Sequence, residues 1–139
     1  YLSVIRDLFD LSIVAYKTSI RQSIKLVLDT VRLAMEKEEV TTELQLHSDQ
    51  GFQYASQSYF ALTTQYGITP SMSRRANPYD NAMAENFFSI LKSECIRLYK
   101  PETIHDAQTL IDEYITFYNH DRIQLNSKLS PIEKRRLFA

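Results

Sequence analysis

Cysteine, glycine and tryptophan are almost missing from these 139 residues: one cysteine, two glycines and no tryptophan. A single Cys95 excludes an internal disulfide and any zinc site built on a Cys-x-x-Cys pair, and it reads as a small buried or half-buried side chain. The three histidines, His47, His105 and His120, are too scattered to substitute for one. Gly51 and Gly67 leave no room for a glycine-rich phosphate loop. No apolar run approaches the roughly 18 residues of a membrane span, and no charged-then-apolar leader opens the chain, so a cytoplasmic protein without a membrane partner is expected. A surplus of positive charge is also lacking: 16 Lys and Arg face 17 Asp and Glu, a net charge of −1. Bulk electrostatics therefore gives no argument for nucleic acid, and only the distribution of charge can.

That distribution is uneven. From 71 to 100 there are five bases against three acids, and from 119 to 139 five against two, whereas Glu36, Glu38, Glu39 and Glu43 lie close together. With 44% hydrophobic and 24% charged residues and no repeat, linker or low-complexity tract, the chain reads as one globular domain with one core.

Two acids organise it. Asp49 closes Leu44-Gln45-Leu46-His47-Ser48-Asp49, where a strand-like run meets a turn at Gln50-Gly51. Glu85 lies in Asn77-Pro78-Tyr79-Asp80-Asn81-Ala82-Met83-Ala84-Glu85, where a turn gives way to a helix. The thirty-five residues between them hold one helix and one further strand, enough to return the helical acid to the end of the first strand. Two carboxylates at a strand end suit a hard divalent cation, which prefers oxygen ligands and retains waters, and phosphoryl transfer is the chemistry they suggest. The alternative for Asp49 is a plain turn residue.

In chain order, 1–7 and 13–17 read as an antiparallel hairpin. Ser19 to Gln22 offers a capping box, followed by Ile20, Ile24, Val27, Leu28, Val31 and Met35 at helical spacing to about Glu38. Positions 42–47 read as a strand buried on both faces. His47 shares a side with Asp49 if the strand persists; it reads first as a structural histidine, with a catalytic base as the alternative. Ser56 to Tyr66 reads as a helix with Tyr59, Phe60 and Leu62 or Thr63 inward and Gly67 as C-cap. Ile68 to Met72 is a strand whose Pro70 suits an edge. From Asp80 or Asn81 a helix places Met83, Phe87, Ile90, Leu91 and Leu98 on one side and Glu85, Ser89 and Lys92 on the other, with Glu94 out of place near the apolar side. Thr103 caps a long helix with the stripe Ile104, Ala107, Ile111, Tyr114, Ile115 and Tyr118, which ends in the polar run Tyr118 to Gln124. Ser130-Pro131-Ile132-Glu133 announces a short basic helix.

HSDQGFQY, the glutamate of NPYDNAMAENFFSILKSE thirty-five residues on, and YNHDRIQLNSKLSPIEKR together resemble the integrase-type catalytic core of bacterial insertion-sequence transposases, the DDE group related to retroviral integrases. The resemblance covers nearly the whole chain. It implies an α/β, RNase-H-like fold, a mixed sheet flanked by helices, with strand order 3-2-1-4-5. It makes Asp49 the second acid of a catalytic triad and Glu85 the third, together holding two Mg²⁺ or Mn²⁺ ions. The first acid of the family lies in a Trp-x-x-Asp-Ile-Thr type of segment on the central strand, before the strand that opens this sequence. The expectation is a single domain, 1–139, truncated at its N-terminal side and inactive by itself, with open edges on the strands flanking the gap. The resemblance also implies DNA as partner, both transposon ends and target, a homodimer or higher oligomer, and phosphate contacts from Lys92, Arg74, Arg75 and Arg122, the last with a purely structural alternative. The family has Gly where Ala76 stands, so the loop there is expected to be shaped differently. Two other function classes fit the same residues: a hydrolytic RNase-H-like nuclease, and a non-catalytic DNA-binding or interaction module.

Overall fold

A computed structural model describes residues 1–38, 43–48, 53–72 and 82–138, with the backbone alone for 82–85. The chain divides into two compact units, residues 1–5 with 14–83 and residues 6–13 with 84–139.

In the first unit a hairpin forms from β1 (Leu2–Arg6) and β2 (Ile13–Thr18). Tyr1 and Ser19 exchange backbone bonds of 2.8 and 2.9 Å, the reciprocal pattern of an antiparallel bonded pair. Helix α1 (Ile24–Lys37) follows, capped by Ser23, whose Oγ accepts from the Leu26 amide at 3.2 Å. The helix thus starts four residues later than the Ser19 box suggests. Ser19 instead turns its hydroxyl onto the Arg21 amide, and Ile20 is left exposed. Both serines can cap, and Ser23 is the one that does; Val27, Val31 and Ala34 of the helix are buried.

Strand β3 (Leu44–Ser48), helix α2 (Gln57–Tyr66) and strand β4 (Ile68–Met72) form a β-α-β run in which β3 and β4 pair in parallel, Leu44 opposite Ile68 and Ser48 opposite Met72. Helix α2 is capped by Ser56 and stopped by Gly67 at φ 68°, a left-handed position that glycine adopts without a Cβ penalty. Tyr59, Leu62 and Thr63 face inward, but Phe60 is 40% exposed, because it lies about 100° round the helix from Tyr59. Val27, Val31, Tyr59, Leu62 and Ile68 make the core, and Ile5, Leu44 and Leu46 pack against it.

Strand β3 is not buried on both faces. Leu44, Leu46 and Ser48 are half-buried while Gln45 and His47 are exposed, the alternation of a strand covered on one side. The strands also form two separate two-stranded sheets, β1 with β2 and β3 with β4. Among the described residues β1 and β3 therefore each have one bonded neighbour, although Ile5 and Leu46 line the same core.

The second unit holds the hairpin tip and the C-terminal helices α3 (Ala82–Leu91), α4 (Arg97–Tyr99), α5 (Ile104–His120) and α6 (Pro131–Phe138). A π turn, Lys92–Ile96, joins α3 to α4. Phe87, Leu91, Cys95, Ile111, Tyr114, Ile115 and Tyr118 are buried. The Phe87 and Tyr118 rings meet edge to face at 5.1 Å. The π turn explains why Leu98, expected inward, is 68% exposed: the wider turn inserts an extra residue and rotates everything after it out of phase with Phe87 and Leu91. Ile104 is likewise exposed, lying in the first turn of α5 ahead of the buried stripe.

Helix α5 carries its expected Thr103 cap. Helix α6 opens with the reciprocal capping box: the Ser130 amide donates to Glu133 at 2.9 Å and the Glu133 amide to Ser130 Oγ at 3.3 Å. From α6, Arg135 donates to the buried Asp10 carboxylate at 2.7 Å and to Ser12 Oγ at 3.0 Å, clamping the hairpin tip. Asn119 imitates a strand partner for Ile13, accepting its N–H at 2.8 Å and donating to its carbonyl at 3.0 Å.

Candidate functional site

The expected site residues fall into three groups. Asp49, Arg74, Arg75 and Ala76 lie outside the described residues. Glu85 is a residue of α3, with its side chain outside the description. Lys92 and Arg122 are fully described, both in the second unit.

Strand β3 delivers the chain to position 48, immediately before Asp49. One residue earlier the exposed His47 places Nδ1 3.0 Å from Ser71 Oγ on β4, its register partner. That side-chain bond ties the C-terminal ends of the parallel pair, where backbone bonds alone would leave them to fray.

Downstream, α3 carries Glu85 and leads straight into the π turn whose first residue is the exposed Lys92. The π turn accommodates two demands. It keeps Cys95 buried below Leu91, with Sγ 3.8 Å from the Leu110 carbonyl, and it turns Glu94 toward α5. There Arg122 grips Glu94 through Nε and Nη2, the shortest contact being 2.7 Å, and Tyr114 donates its hydroxyl to Glu94 Oε1 at 2.8 Å. The Arg122 guanidinium lies 6.0 Å from the Tyr118 ring centre. Arg122 holds the Glu94 carboxyl below the ordinary glutamate value, aided by the Tyr114 hydroxyl and opposed by burial. Burial first, and the Glu94 charge second, push the Tyr114 hydroxyl far upward.

A second arginine meets Tyr118. Arg6, at the end of β1, donates to the Tyr118 hydroxyl at 2.6 Å and to Asn86 Oδ1 at 3.4 Å, one residue after Glu85. Tyr118 passes its own proton to the Leu11 carbonyl at 2.8 Å. The fully buried Tyr118 is thus the hub of a polar network that runs from the hairpin tip to α3. Neither the Glu94 nor the Arg6 partnership was anticipated from sequence. Glu94 did carry a signal, since an acid near an apolar stripe needs a partner; Arg6 carried none.

Because Glu94 titrates below its unfolded value, its contribution is complete at neutral pH and is lost as pH falls through the lowered folded value. Glu94→Gln is expected to cost on the order of 1 kcal/mol at neutral pH, a modest figure because the carboxylate is partly exposed. The gap between variant and wild type should close in acid, and urea denaturation at the two extremes reads it; an equal gap at both would show that the charge is not what matters.

Solved structures place the fold. A chain of the simian T-cell lymphotropic virus intasome in complex with PP2A regulatory subunit B56 gamma superposes with a TM-score of 0.81 at 19% identity, over 95% of this chain and 46% of that one. The HTLV-2 integrase catalytic core domain in complex with magnesium gives 0.74 at 17% identity, over 95% of this chain and 82% of that one. The architecture is that of retroviral integrase catalytic cores, an RNase-H-like α/β fold. Residues 1–78 match the Integrase core domain family, residues 85–136 match a second family of the same description, and the chain belongs to the integrase core domain family.

Among curated relatives, the putative transposase InsK for insertion sequence element IS150 of Escherichia coli (strain K12) is 40% identical over 136 residues, which are 97% of this chain and 48% of that protein. The transposase for insertion sequence element IS904 of Lactococcus lactis is 44% identical over 124 residues, 88% of this chain and 49% of that protein. The chain spans about half the length of these relatives.

Proposed function

We propose that the chain is the catalytic core of a DNA transposase that cuts and joins strands by direct, divalent-metal-dependent transesterification. What supports the reading is the integrase fold together with the order of residues in the chain: β3 ends at Ser48, the residue before Asp49, and Glu85 is a residue of α3, seven positions before the exposed Lys92. The donor set fits Mg²⁺ or Mn²⁺ and not a softer metal. It consists of carboxylates, and among the described residues no cluster of His, Cys, Asp and Glu competes with it. Asp49 and Glu85 would hold two such ions, whose bound chemistry would be polarisation of the scissile phosphate and activation of water or a 3′-hydroxyl.

In this reading Asp49 and Glu85 supply the negatively charged oxygens, and Lys92 holds a neighbouring phosphate. Arg74 and Arg75 are further phosphate contacts, and Arg122 contributes only with the part of its guanidinium that Glu94 leaves unengaged. Incubation of the whole transposase with labelled element ends and target DNA separates the alternatives. Joined products are expected; nicked DNA without joining would identify a nuclease, and DNA binding with neither product, untouched by Asp49→Ala, a binding module.

Among the described residues each strand has one bonded neighbour, and a strand edge beside a core recruits other strands. The chain is therefore expected to self-associate, most simply by exchanging the β1–β2 hairpin between two copies. Light scattering that returned a monomer across the accessible concentration range would count against the open edges.

A further inference from the structure

The π turn does something besides packing. The backbone N–H of Arg97 donates to the Lys92 carbonyl, a bond from i+5 to i in place of the usual i+4 to i. In an uninterrupted α-helix, five residues at 100° each would set positions 92 and 97 about 140° apart, on nearly opposite faces. The π bond stacks them instead, Arg97 one wide turn above Lys92, with a rise of no more than roughly 7 Å. Both side chains are exposed. The acid between them, Glu94, is turned away and held by Arg122 and Tyr114. Single π turns inside α-helices recur at functional sites, and this one begins seven residues after Glu85.

We propose that Lys92 and Arg97 form a two-cation ridge that follows the phosphodiester backbone of one DNA strand, Lys92 on one phosphate and Arg97 on a phosphate one or two nucleotides along. The proposal rests on the reading of Lys92 as a phosphate contact and extends it to a residue with no motif of its own. The spacing fits, since each nucleotide step advances about 3.4 Å along the duplex axis. So does the chemistry: Lys is a compact point charge, whereas the planar guanidinium of Arg97 grips two phosphate oxygens at once. Both groups stand on one helix, so their backbone anchor points are fixed relative to each other before DNA arrives. Contacts of this kind set register along the strand and carry no preference for base sequence.

The test is binding of the whole protein to a labelled random-sequence duplex, followed by fluorescence anisotropy across a series of KCl concentrations beginning at low salt. Each neutralised phosphate contributes about 0.9 to the slope of log affinity against log salt. Lys92→Ala and Arg97→Ala are each expected to lower the slope by about 0.9, and the double variant by about 1.8. Arg97→Lys should restore the slope while leaving affinity lower, because the charge returns without the fork. Thermal melting should be unchanged in all four variants, since neither side chain is buried. If Lys92→Ala lowers the slope and Arg97→Ala does not, the ridge is wrong and the Lys92 contact stands. If Lys92→Ala changes nothing, or the wild-type protein fails to bind the duplex at low salt, the reading beneath the ridge fails with it.

Discussion

Glu85→Ala in the whole transposase is expected to abolish strand transfer, a loss of more than about 100-fold, while DNA binding stays close to wild type. The magnitude follows from what the side chain does in the proposed site. Removing a group that merely orients a metal ligand costs roughly 10- to 100-fold, so removing the ligand itself must cost more. Binding should survive because the affinity of a protein for DNA comes from cations that displace counterions, and a carboxylate contributes none of that. Glu85→Gln should be nearly as inactive, since the amide keeps the shape but not the charge. Measuring joined product and DNA affinity on the same preparation distinguishes this from unfolding. Wild-type joining by Glu85→Ala would remove Glu85 from the site, and loss of binding in parallel with joining would make it a structural residue.

The largest effect on stability is expected two residues further along the same helix. Phe87 is 1% exposed, and its ring meets the edge of Tyr118, itself fully buried. Phe87→Ala should cost about 3–5 kcal/mol, the sum of the lost transfer energy and the cavity that remains. Collapse around the hole is restricted, because Tyr118 is held in place by Arg6 and by the Leu11 carbonyl and cannot swing in to fill it. Against a typical domain stability of about 5–15 kcal/mol, such a loss leaves a marginal or unfolded chain. Phe87→Leu, which keeps most of the volume, should cost less than half as much. Urea denaturation gives both numbers, and a cost for Phe87→Ala under about 1 kcal/mol would show that the site closes after all.

Much of this molecule was legible before any coordinates, and what was legible is local. Thr103 and Ser130 cap the helices that follow them, because a hydroxyl placed before a periodic apolar run satisfies a free amide within three residues. Gly67 ends α2 for an equally local reason. The family, too, was readable, since HSDQGFQY, the glutamate thirty-six positions after Asp49 and the YNHDR segment lie at a spacing that no tertiary contact is needed to see. Where two local signals competed, sequence could not arbitrate. Ser19 and Ser23 are both competent caps, and the helix begins at the second.

What tertiary structure alone decided concerns partners far apart in the chain. Glu94 looked like a flaw in an apolar stripe until Arg122, twenty-eight residues away, met it. The meeting helps to explain a π turn that no propensity would place, and with it the exposure of Leu98 and the alignment of Lys92 with Arg97. Arg6 reaches Tyr118 across 112 positions for a bond that neither residue's neighbours announce. The half-buried face of β3 has the same origin. Its residue types report that a strand forms, but how deeply a strand is buried depends on which others flank it, and pairing is settled by the three-dimensional order of the strands.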